Sequence, residues 1–113
     1  MKLLSEARLL RIFIGESDKF EGRPLYQVIV ERARQRELAG ATVLRGYLGF
    51  GANSRIHSAR VLRLSEDLPM VIEIVDEPER INAFITELDE IIGEGLVTLE
   101  KVEVLIYRHG EQT

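Results

Sequence analysis

The sequence predicts an α+β fold of the ferredoxin-like type, with a four-stranded antiparallel sheet and two helices on one face of it. Two observations carry this prediction. Segments with the alternation of strands and segments with the i, i+3, i+4 spacing of helices follow one another in the order β-α-β-β-α-β. The second half also echoes the first, because GATVLRGYLGF follows one helix much as GLVTLEKVEVLI follows the other. The expected strand order across the sheet is 4-1-3-2.

The first half of the chain predicts a strand, a helix and a second strand. ARLLRIFIG, from Ala7 to Gly15, alternates around branched and aromatic residues and is followed by the polar loop ESDKFEGR. Pro24 suits the first position of a helix, which we expect to end near Gly40. ATVLRGYLGF, from Ala41 to Phe50, then has the composition of the second strand.

The second half repeats this arrangement after a long connection. PMVIEIVD, from Pro69 to Asp76, predicts the third strand. Asp76 and Glu79 resemble a capping box at the start of a helix that ends before Gly93. VTLEKVEVLIY, from Val97 to Tyr107, predicts the last strand. The apolar face expected for this second helix consists of Ile81, Phe84, Ile85, Leu88, Ile91 and Ile92.

The connection at 51–68 is long for a small domain. Connections of this length are usually functional or disordered rather than simple turns, so we expect a long flexible loop. Residues 108–113, RHGEQT, predict a polar tail. The 113 residues then correspond to a single domain, 1–113.

Composition excludes several classes of function. Fifteen basic and nineteen acidic side chains give a formal net charge of -4, which argues against a nucleic-acid-binding protein. The chain has no cysteine and only two histidines, so we expect no metal site of the common zinc type. MKLLSEARLL contains no apolar run of the length needed for a signal peptide or a membrane span. We therefore expect a cytoplasmic protein that is not embedded in a membrane.

The segment RGYLGFGANSRIH, residues 45–57, predicts an anion-binding site. Glycines allow a ligand to approach the backbone, and arginine offers a planar fork for phosphate or carboxylate oxygens. Neither the phosphate-loop motif nor the dinucleotide fingerprint is present. An alternative interpretation is that the glycines only mark a twisted strand end and a mobile loop. The candidate residues are Arg45, Gly46, Gly49, Gly51, Arg55 and His57.

A second polar segment, GESDK, is expected at the same edge of the sheet, because the first two strands run parallel in this fold. Glu16 or Asp18 could accept a hydrogen bond from a ribose hydroxyl or an adenine amino group, and Lys19 could contact phosphate. Alternatively, this is an ordinary polar loop in which Asp18 caps a turn.

Alternation along the strands assigns side chains to the two faces of the sheet. We expect ion pairs across strands on the face away from the helices, between Arg11 and both Glu73 and Glu103 and between Arg45 and Glu73. Such a face is either a solvated surface with scattered ion pairs or, as we favour, an oligomer interface. Leu10, Ile12, Ile14, Ile72 and Ile74 are expected to face the helices, with Arg11, Phe13, Val43, Arg45, Tyr47, Val71, Glu73, Val75, Glu103, Leu105 and Tyr107 opposite.

With the strands assigned, the chain resembles the PII-like domain-of-unknown-function family 190 along nearly its whole length. The resemblance implies a fold like that of PII signalling proteins, a trimer packed through its sheets, and an adenine nucleotide in the clefts between subunits. The segment 51–68 would correspond to the effector loop of PII proteins. The matching segments are LRIFIGESDKFEGRPLY (Leu10 to Tyr26), GATVLRGYLGFG (Gly40 to Gly51), IH (Ile56 and His57), LSEDLPMVIEIVD (Leu64 to Asp76) and GLVTLEKVEV (Gly95 to Val104).

The nucleotide expected from this resemblance is AMP rather than ATP. The segment DEPER, from Asp76 to Arg80, contains three acids and no glycine, so it offers little to a long phosphate chain. The expected nucleotide-binding residues are Gly15, Glu16, Lys19, Arg45, Gly46, Gly49, Phe50, Gly51 and His57. The expected oligomer interface contains Arg11, Phe13, Tyr47, Glu73, Glu103 and Leu105.

Two functions of different classes follow. The first is a non-catalytic signalling protein that requires no cofactor and acts on a partner such as a transporter or an enzyme. No nucleophile elbow accompanies Ser54, Ser58 or Ser65, so we expect no catalytic residues of the hydrolase type. The second is a protein of divalent-cation or small-ion tolerance, a class that shares this fold. Its candidate ligands would be Glu16, His57, Glu66 and Asp67.

Overall fold

The computed structural model of the chain describes residues 5–50 and 67–108. Its strands are β1 (Glu6–Gly15), β2 (Lys19–Phe20), β3 (Arg23–Pro24), β4 (Thr42–Arg45), β5 (Pro69–Asp76) and β6 (Leu96–Glu103). Its helices are α1 (Leu25–Gln35) and α2 (Pro78–Ile91). The main sheet is antiparallel with the order β4-β5-β1-β6, which confirms the predicted fold and strand order. The strands β2 and β3 form a separate two-stranded ribbon.

The core lies between the main sheet and the two helices. Phe84 of α2 and Ile29 of α1 are fully buried in one apolar cluster with Ile12 and Ile72 of the central strands. All five strand residues predicted to face the helices are buried, and so are the main contact residues of α2. Burial of these side chains is the dominant favourable term in folding. The apolar periodicity of β1 and β5 therefore identifies the covered face of these two central strands.

Helix α1 ends at Gln35, before the chain reaches Gly40, and no glycine ends it. Glu37 adopts a left-handed conformation with φ of 57°, and the Leu38 amide donates to the Ala33 carbonyl at 3.1 Å. These are the features of a Schellman motif, in which one left-handed residue terminates a helix. Arg80 of α2 donates to the carbonyl of the C-cap residue Arg36 at 3.1 Å, an acceptor that the helix end leaves free, and also to the carbonyl of Glu37.

The start of α2 also differs from the predicted capping box. Glu77 occupies the N-cap position without a side-chain hydrogen bond to the helix. Asp76 is instead fully buried, where its carboxylate accepts from the Ala39 amide at 2.8 Å and from the Glu77 amide at 2.7 Å. Its Oδ1 also lies 3.3 Å from Nε of Arg80. Asp76 thus ties the chain after α1 to the start of α2.

Two strands are shorter than predicted, and each ends for a local reason. The second strand was predicted to extend to Phe50, but β4 ends at Arg45. The last hydrogen bond between β4 and β5 is donated by the Gly46 amide to the Pro69 carbonyl at 2.6 Å. Proline has no amide hydrogen to return, so the ladder stops there. In β6 the prediction extended to Tyr107, but the last bond joins the Val104 amide to the Ser5 carbonyl at 2.7 Å.

Part of the predicted face assignment was wrong by one residue. Opposed residues of an antiparallel pair share a face, and Val43 and Arg45 oppose the buried residues Ile72 and Met70. Val43 and Arg45 therefore lie on the helix side of the sheet, where Val43 packs against the core. Because side chains alternate with a period of two, this small error in phase reverses the face.

The same error applies to β6. Glu103 opposes Glu6, which alternates in phase with the buried Leu10, so Glu103 is not on the open face. The second acid that pairs with Arg11 is Glu100, at 2.5 Å, and not Glu103. The predicted pair of Arg11 with Glu73 is present at 2.9 Å.

Three of the residues predicted on the open face lie outside the paired strands. Tyr47 follows the end of β4 and Leu105 the end of β6, and both side chains are largely exposed. Tyr107 also follows β6, and its hydroxyl donates to the Ala39 carbonyl at 3.4 Å.

Candidate functional site

Three strand ends meet at one edge of the main sheet. The end of β1 and the end of β4 flank the start of β5, with Gly15 opposite Pro69 and Arg45 opposite Met70. Beyond these pairs, the Glu16 amide donates to the Leu68 carbonyl at 2.9 Å. The structure therefore confirms that the segment after Gly15 and the end of the second strand lie at one edge.

The guanidinium of Arg45 is held by Glu16. Nε of Arg45 lies 3.1 Å from Oε2 of Glu16, and Nη2 lies 3.0 Å from Oε1. This two-point arrangement is the fork geometry with which arginine recognises carboxylates and phosphates. The Arg45 side chain remains 52% exposed, so an approaching anion could reach it. The structure thus brings together two of the predicted site residues.

Ser17, which follows Glu16 in the turn, contacts the segment just before β5. The Ser17 amide and hydroxyl both donate to Oδ1 of Asp67, at 3.0 and 2.7 Å. Asp67 has a left-handed backbone with φ of 40°, a conformation that aspartate tolerates better than most residues. Glu16 and Ser17 therefore hold two chain segments that are far apart in sequence.

The turn itself is closed by Asp18. Its carboxylate accepts from the Gly15 amide at 2.9 Å, while its own amide donates to the Gly15 carbonyl at 3.1 Å. This is the turn-capping role that we gave as the alternative for Asp18. A side chain at Gly15 would place its Cβ 2.5 Å from Oδ1 of Asp67. A side chain at Gly15 would therefore push the Asp67 carboxylate from its present position.

Gly46 and Gly49 pack against one proline. A Cβ at Gly46 would lie 2.8 Å from Cγ of Pro69, and one at Gly49 would lie 3.1 Å from the same atom. These two glycines therefore allow the strand end to pack closely against Pro69. Tyr47 and Phe50 of the same segment are 79% and 67% exposed.

Lys19 follows the turn of Glu16 and belongs to β2. It lines an open groove with Asp18, Leu25, Gly93 and Glu94. This groove lies between the turn before α1 and the turn after α2.

Several candidate residues lie outside the described residues, namely Gly51, Arg55, His57 and Glu66. Within residues 5–50 and 67–108, no group of three or more histidine, cysteine, aspartate or glutamate side chains could hold a metal ion. Of the candidate cation ligands in that part of the chain, Glu16 is paired with Arg45 and Asp67 with Ser17.

The open face of the sheet carries a row of apolar side chains that crosses all four strands. Leu44 opposes Val71, Val71 opposes Phe13, and Phe13 opposes Leu96. Leu44 and Leu96 are 48% and 57% exposed at the two edges. Such a row on an uncovered face is typical of an interaction surface.

Beside the apolar row, Arg11 bridges the acids of two neighbouring strands. The hydrogen bond from Arg11 to Glu73 raises the pKa of the guanidinium above its ordinary value, with the charge of Glu100 acting in the same direction. Arg11 is therefore ionised at every physiological pH. The predicted interface residues Phe13, Arg11 and Glu73 share the open face, whereas Glu103 does not. Tyr47 and Leu105 lie beyond the ends of β4 and β6 and are exposed.

Ser17 and Glu100 are contact residues that the sequence did not indicate, and Asp67 was predicted only as a candidate cation ligand. The contact between Ser17 and Asp67 follows from the register of β1 against β5. The opposition of Gly15 and Pro69, continued by two residues in each direction, places Ser17 across from Asp67. Finding it required the register of β1 against β5, which alternation alone does not set.

Comparison with known proteins identifies the family. The family described as "Uncharacterized ACR, COG1993" (DUF190) matches residues 7–104. A UPF0166 protein of Aquifex aeolicus is 47% identical over 100 residues, covering 87% of this chain and 92% of the relative. A UPF0166 protein of Methanocaldococcus jannaschii is 36% identical over 100 residues, covering 88% and 92%.

Solved structures share the fold at low sequence identity. A candidate PII-like signaling protein of Thermus thermophilus aligns with a TM-score of 0.62 and 20% identity, covering 93% of this chain and 94% of that one. The CPII protein of Thiomonas intermedia, solved with ADP and bicarbonate, aligns with a TM-score of 0.60 and 16% identity over 91% of each chain. Among the residues described here, no helix is both long and apolar enough to cross a membrane. The chain belongs to the DUF190 family and has a PII-like, ferredoxin-like fold.

Proposed function

We propose that this chain is a non-catalytic, cytoplasmic regulatory protein. It binds an adenine nucleotide, AMP in preference to ATP, in the clefts between the subunits of a homotrimer. The bound state is signalled to a transporter or an enzyme through residues 51–68. The observation that carries the proposal is the position of Arg45, whose two-point fork lies half-exposed where three strand ends meet.

The chemistry of this edge supports an anionic ligand. A guanidinium that binds a carboxylate through two nitrogens presents the same geometry to two oxygens of a phosphate. A protein of the same fold has been solved with ADP and bicarbonate, which are both anions. In our proposal Arg45 binds the phosphate, and Phe50 stacks on the adenine ring. The other proposed contacts are Gly15, Lys19, Gly46, Gly49, Gly51 and His57.

The open face of the sheet supports the proposed trimer. The apolar row from Leu44 to Leu96 has no cover among the described residues, and the ion pairs of Arg11 lie next to it. Packing three such faces together would remove the row from water and bring the sheet edges of neighbouring subunits close together. The trimer would thus form the clefts that the proposed ligand site needs.

Calorimetric titration with AMP, ADP and ATP tests the nucleotide proposal. We expect the wild-type protein to bind AMP, and Arg45→Ala to weaken binding by about 1.5–3 kcal/mol, the range for a hydrogen bond to a charged group. Arg34→Ala is a suitable control because Arg34 is exposed on α1. Absence of binding with all three nucleotides at millimolar concentration would refute the proposal.

The non-catalytic part of the proposal has its own test. After long incubation with the protein, AMP and ATP should be recovered unchanged by mass spectrometry. Production of adenosine from AMP, or of ADP from ATP, by the purified protein would contradict it.

A further inference from the structure

One short turn holds two chain segments through neighbouring residues. Glu16 binds Arg45 at the end of β4, and Ser17 binds Asp67 just before β5. Glu16 and Ser17 are consecutive residues of one turn, so any backbone rearrangement of that turn acts on both contacts. A ligand that moves the turn, and not only the Glu16 side chain, would therefore change both.

The contact between Glu16 and Arg45 is suited to exchange. The Arg45 side chain is 52% exposed and that of Glu16 is 29% exposed, so water and small ions can reach the pair. Exposed ion pairs contribute little to stability, and a competing anion can therefore replace one partner at low cost. A phosphate would need the same two guanidinium nitrogens that now bind the Glu16 carboxylate.

We propose that Glu16 is an internal competitor for the anion-binding fork of Arg45. In the state described here its carboxylate occupies the fork. An incoming phosphate displaces it, and the displaced turn loosens the contact between Ser17 and Asp67. Ligand binding at the end of β4 is thereby coupled to the chain at the start of β5. This inference rests on the proposed function and adds a regulatory contact to the same site.

The competing interpretation gives Glu16 a direct role in holding the nucleotide. In the sequence analysis its carboxylate was a candidate acceptor for a ribose hydroxyl. The two interpretations predict opposite effects of neutralising Glu16. If Glu16 is a competitor, neutralising it strengthens the binding of ligands that carry a phosphate and of no others. If Glu16 holds the ribose, neutralising it weakens the binding of both AMP and adenosine.

The test is calorimetric titration of wild-type protein and Glu16→Gln with AMP, adenosine and inorganic pyrophosphate. We expect Glu16→Gln to bind AMP and pyrophosphate about two- to fivefold more tightly, the range set by an exposed ion pair. Adenosine affinity should be unchanged. Glu31→Gln is a matched control, because Glu31 forms an exposed pair with Arg23 on another part of the surface.

The coupling has a separate readout. In nitrogen-labelled wild-type protein, saturating AMP should shift the amide resonances of Ser17 and Asp67 together with that of Gly46. Glu16→Gln without ligand should shift the Ser17 and Asp67 resonances in the same direction. Resonances of Ser17 and Asp67 that stay in place while Gly46 responds would overturn the coupling.

The outcomes separate this inference from the proposed function. If wild-type protein binds AMP and Glu16→Gln binds it equally or less tightly, the competitor role is wrong and the nucleotide proposal stands. If AMP does not bind but pyrophosphate binds more tightly to Glu16→Gln, the competitor role stands without the nucleotide. If neither compound binds to either protein, both are wrong.

Discussion

At the scale of single residues, close approaches explain several glycines that sequence patterns left ambiguous. Gly15 faces Asp67, and Gly46 and Gly49 face Pro69, so each admits a neighbouring group that a side chain would exclude. The sequence predicted a close approach at Gly46 and Gly49, but not at Gly15. It did not predict that the approaching groups belong to the chain itself, because that depends on the register of β1 and β4 against β5.

Gly95, before β6, provides a residue-scale prediction with a neighbouring control. A Cβ there would lie 2.8 Å from the Phe13 carbonyl and 3.0 Å from Cγ2 of Ile14, and φ is 153°. Strand β1 is paired on both sides, so its backbone cannot move aside. We expect Gly95→Ala to lower the free energy of unfolding by about 1–3 kcal/mol.

Gly93→Ala is the control for this prediction, because no atom lies within 4 Å of the position its Cβ would take. Urea denaturation of both variants is the measurement. Equal stability of the two proteins would show that the backbone near Phe13 adapts to the added methyl group.

At the scale of elements, the sequence predicted each main strand and helix. It predicted less well where these elements end and on which face of the sheet their side chains lie. Strand β5 was predicted with its observed bounds, since Pro69 and Asp76 limit a regular alternation. The phase of β4 was wrong because its four residues alternate weakly, with Leu44 exposed and Val43 half-buried. Only pairing with β5 decides which of them faces the core.

The contact between the two helices gives an element-scale prediction. Glu87 of α2 accepts from Arg32 at 3.0 Å and from Arg36, and these two arginines come from α1 and its C-cap. Partial burial raises the pKa of Glu87, but the hydrogen bonds from Arg32 and Arg36 outweigh it and hold the pKa below its ordinary value of 4.5. The stability due to this ionised group is therefore fully present above pH 4.5 and is lost as the pH falls through the lower pKa of the folded protein.

Thermal unfolding between neutral and acidic pH measures this effect. We expect Glu87→Gln to lower the free energy of unfolding at pH 7 by about 1 kcal/mol and to reduce the loss of stability on acidification. Glu90→Gln serves as control, since Glu90 is exposed on the same helix. A pH profile of Glu87→Gln that parallels the wild-type profile would exclude this role.

At the scale of the whole molecule, the open face of the sheet is the feature that a single chain does not account for. Its central charges, Arg11 with Glu73 and Glu100, are satisfied within the chain, but the apolar row beside them crosses the sheet from edge to edge. The mixed character of this face was evident from the sequence. The sequence did not show which residues form the apolar row, because the row depends on the register of all four strands.

Leu44 and Leu99 allow a matched test of the proposed trimer. They are 48% and 44% exposed on the two edge strands, but Leu44 lies on the open face and Leu99 opposes the buried Leu10 on the helix side. We expect Leu44→Lys to dissociate the assembly, because it would bury an unpaired charge, and Leu99→Lys to leave it intact. Light scattering measures the mass of each protein. A wild-type protein with the mass of one chain would contradict the trimer.

The position of β1 in the sheet also determines when this protein can fold. Among the described strands β1 comes first in the chain, yet both of its neighbours in the main sheet, β5 and β6, follow more than fifty residues later. Contacts between residues so distant in sequence are slow to form, since a long loop must close before they stabilise the chain. The apolar residues of β1 therefore have no partner in the main sheet until β5 has been synthesised, and a strand exposed for that long is open to aggregation.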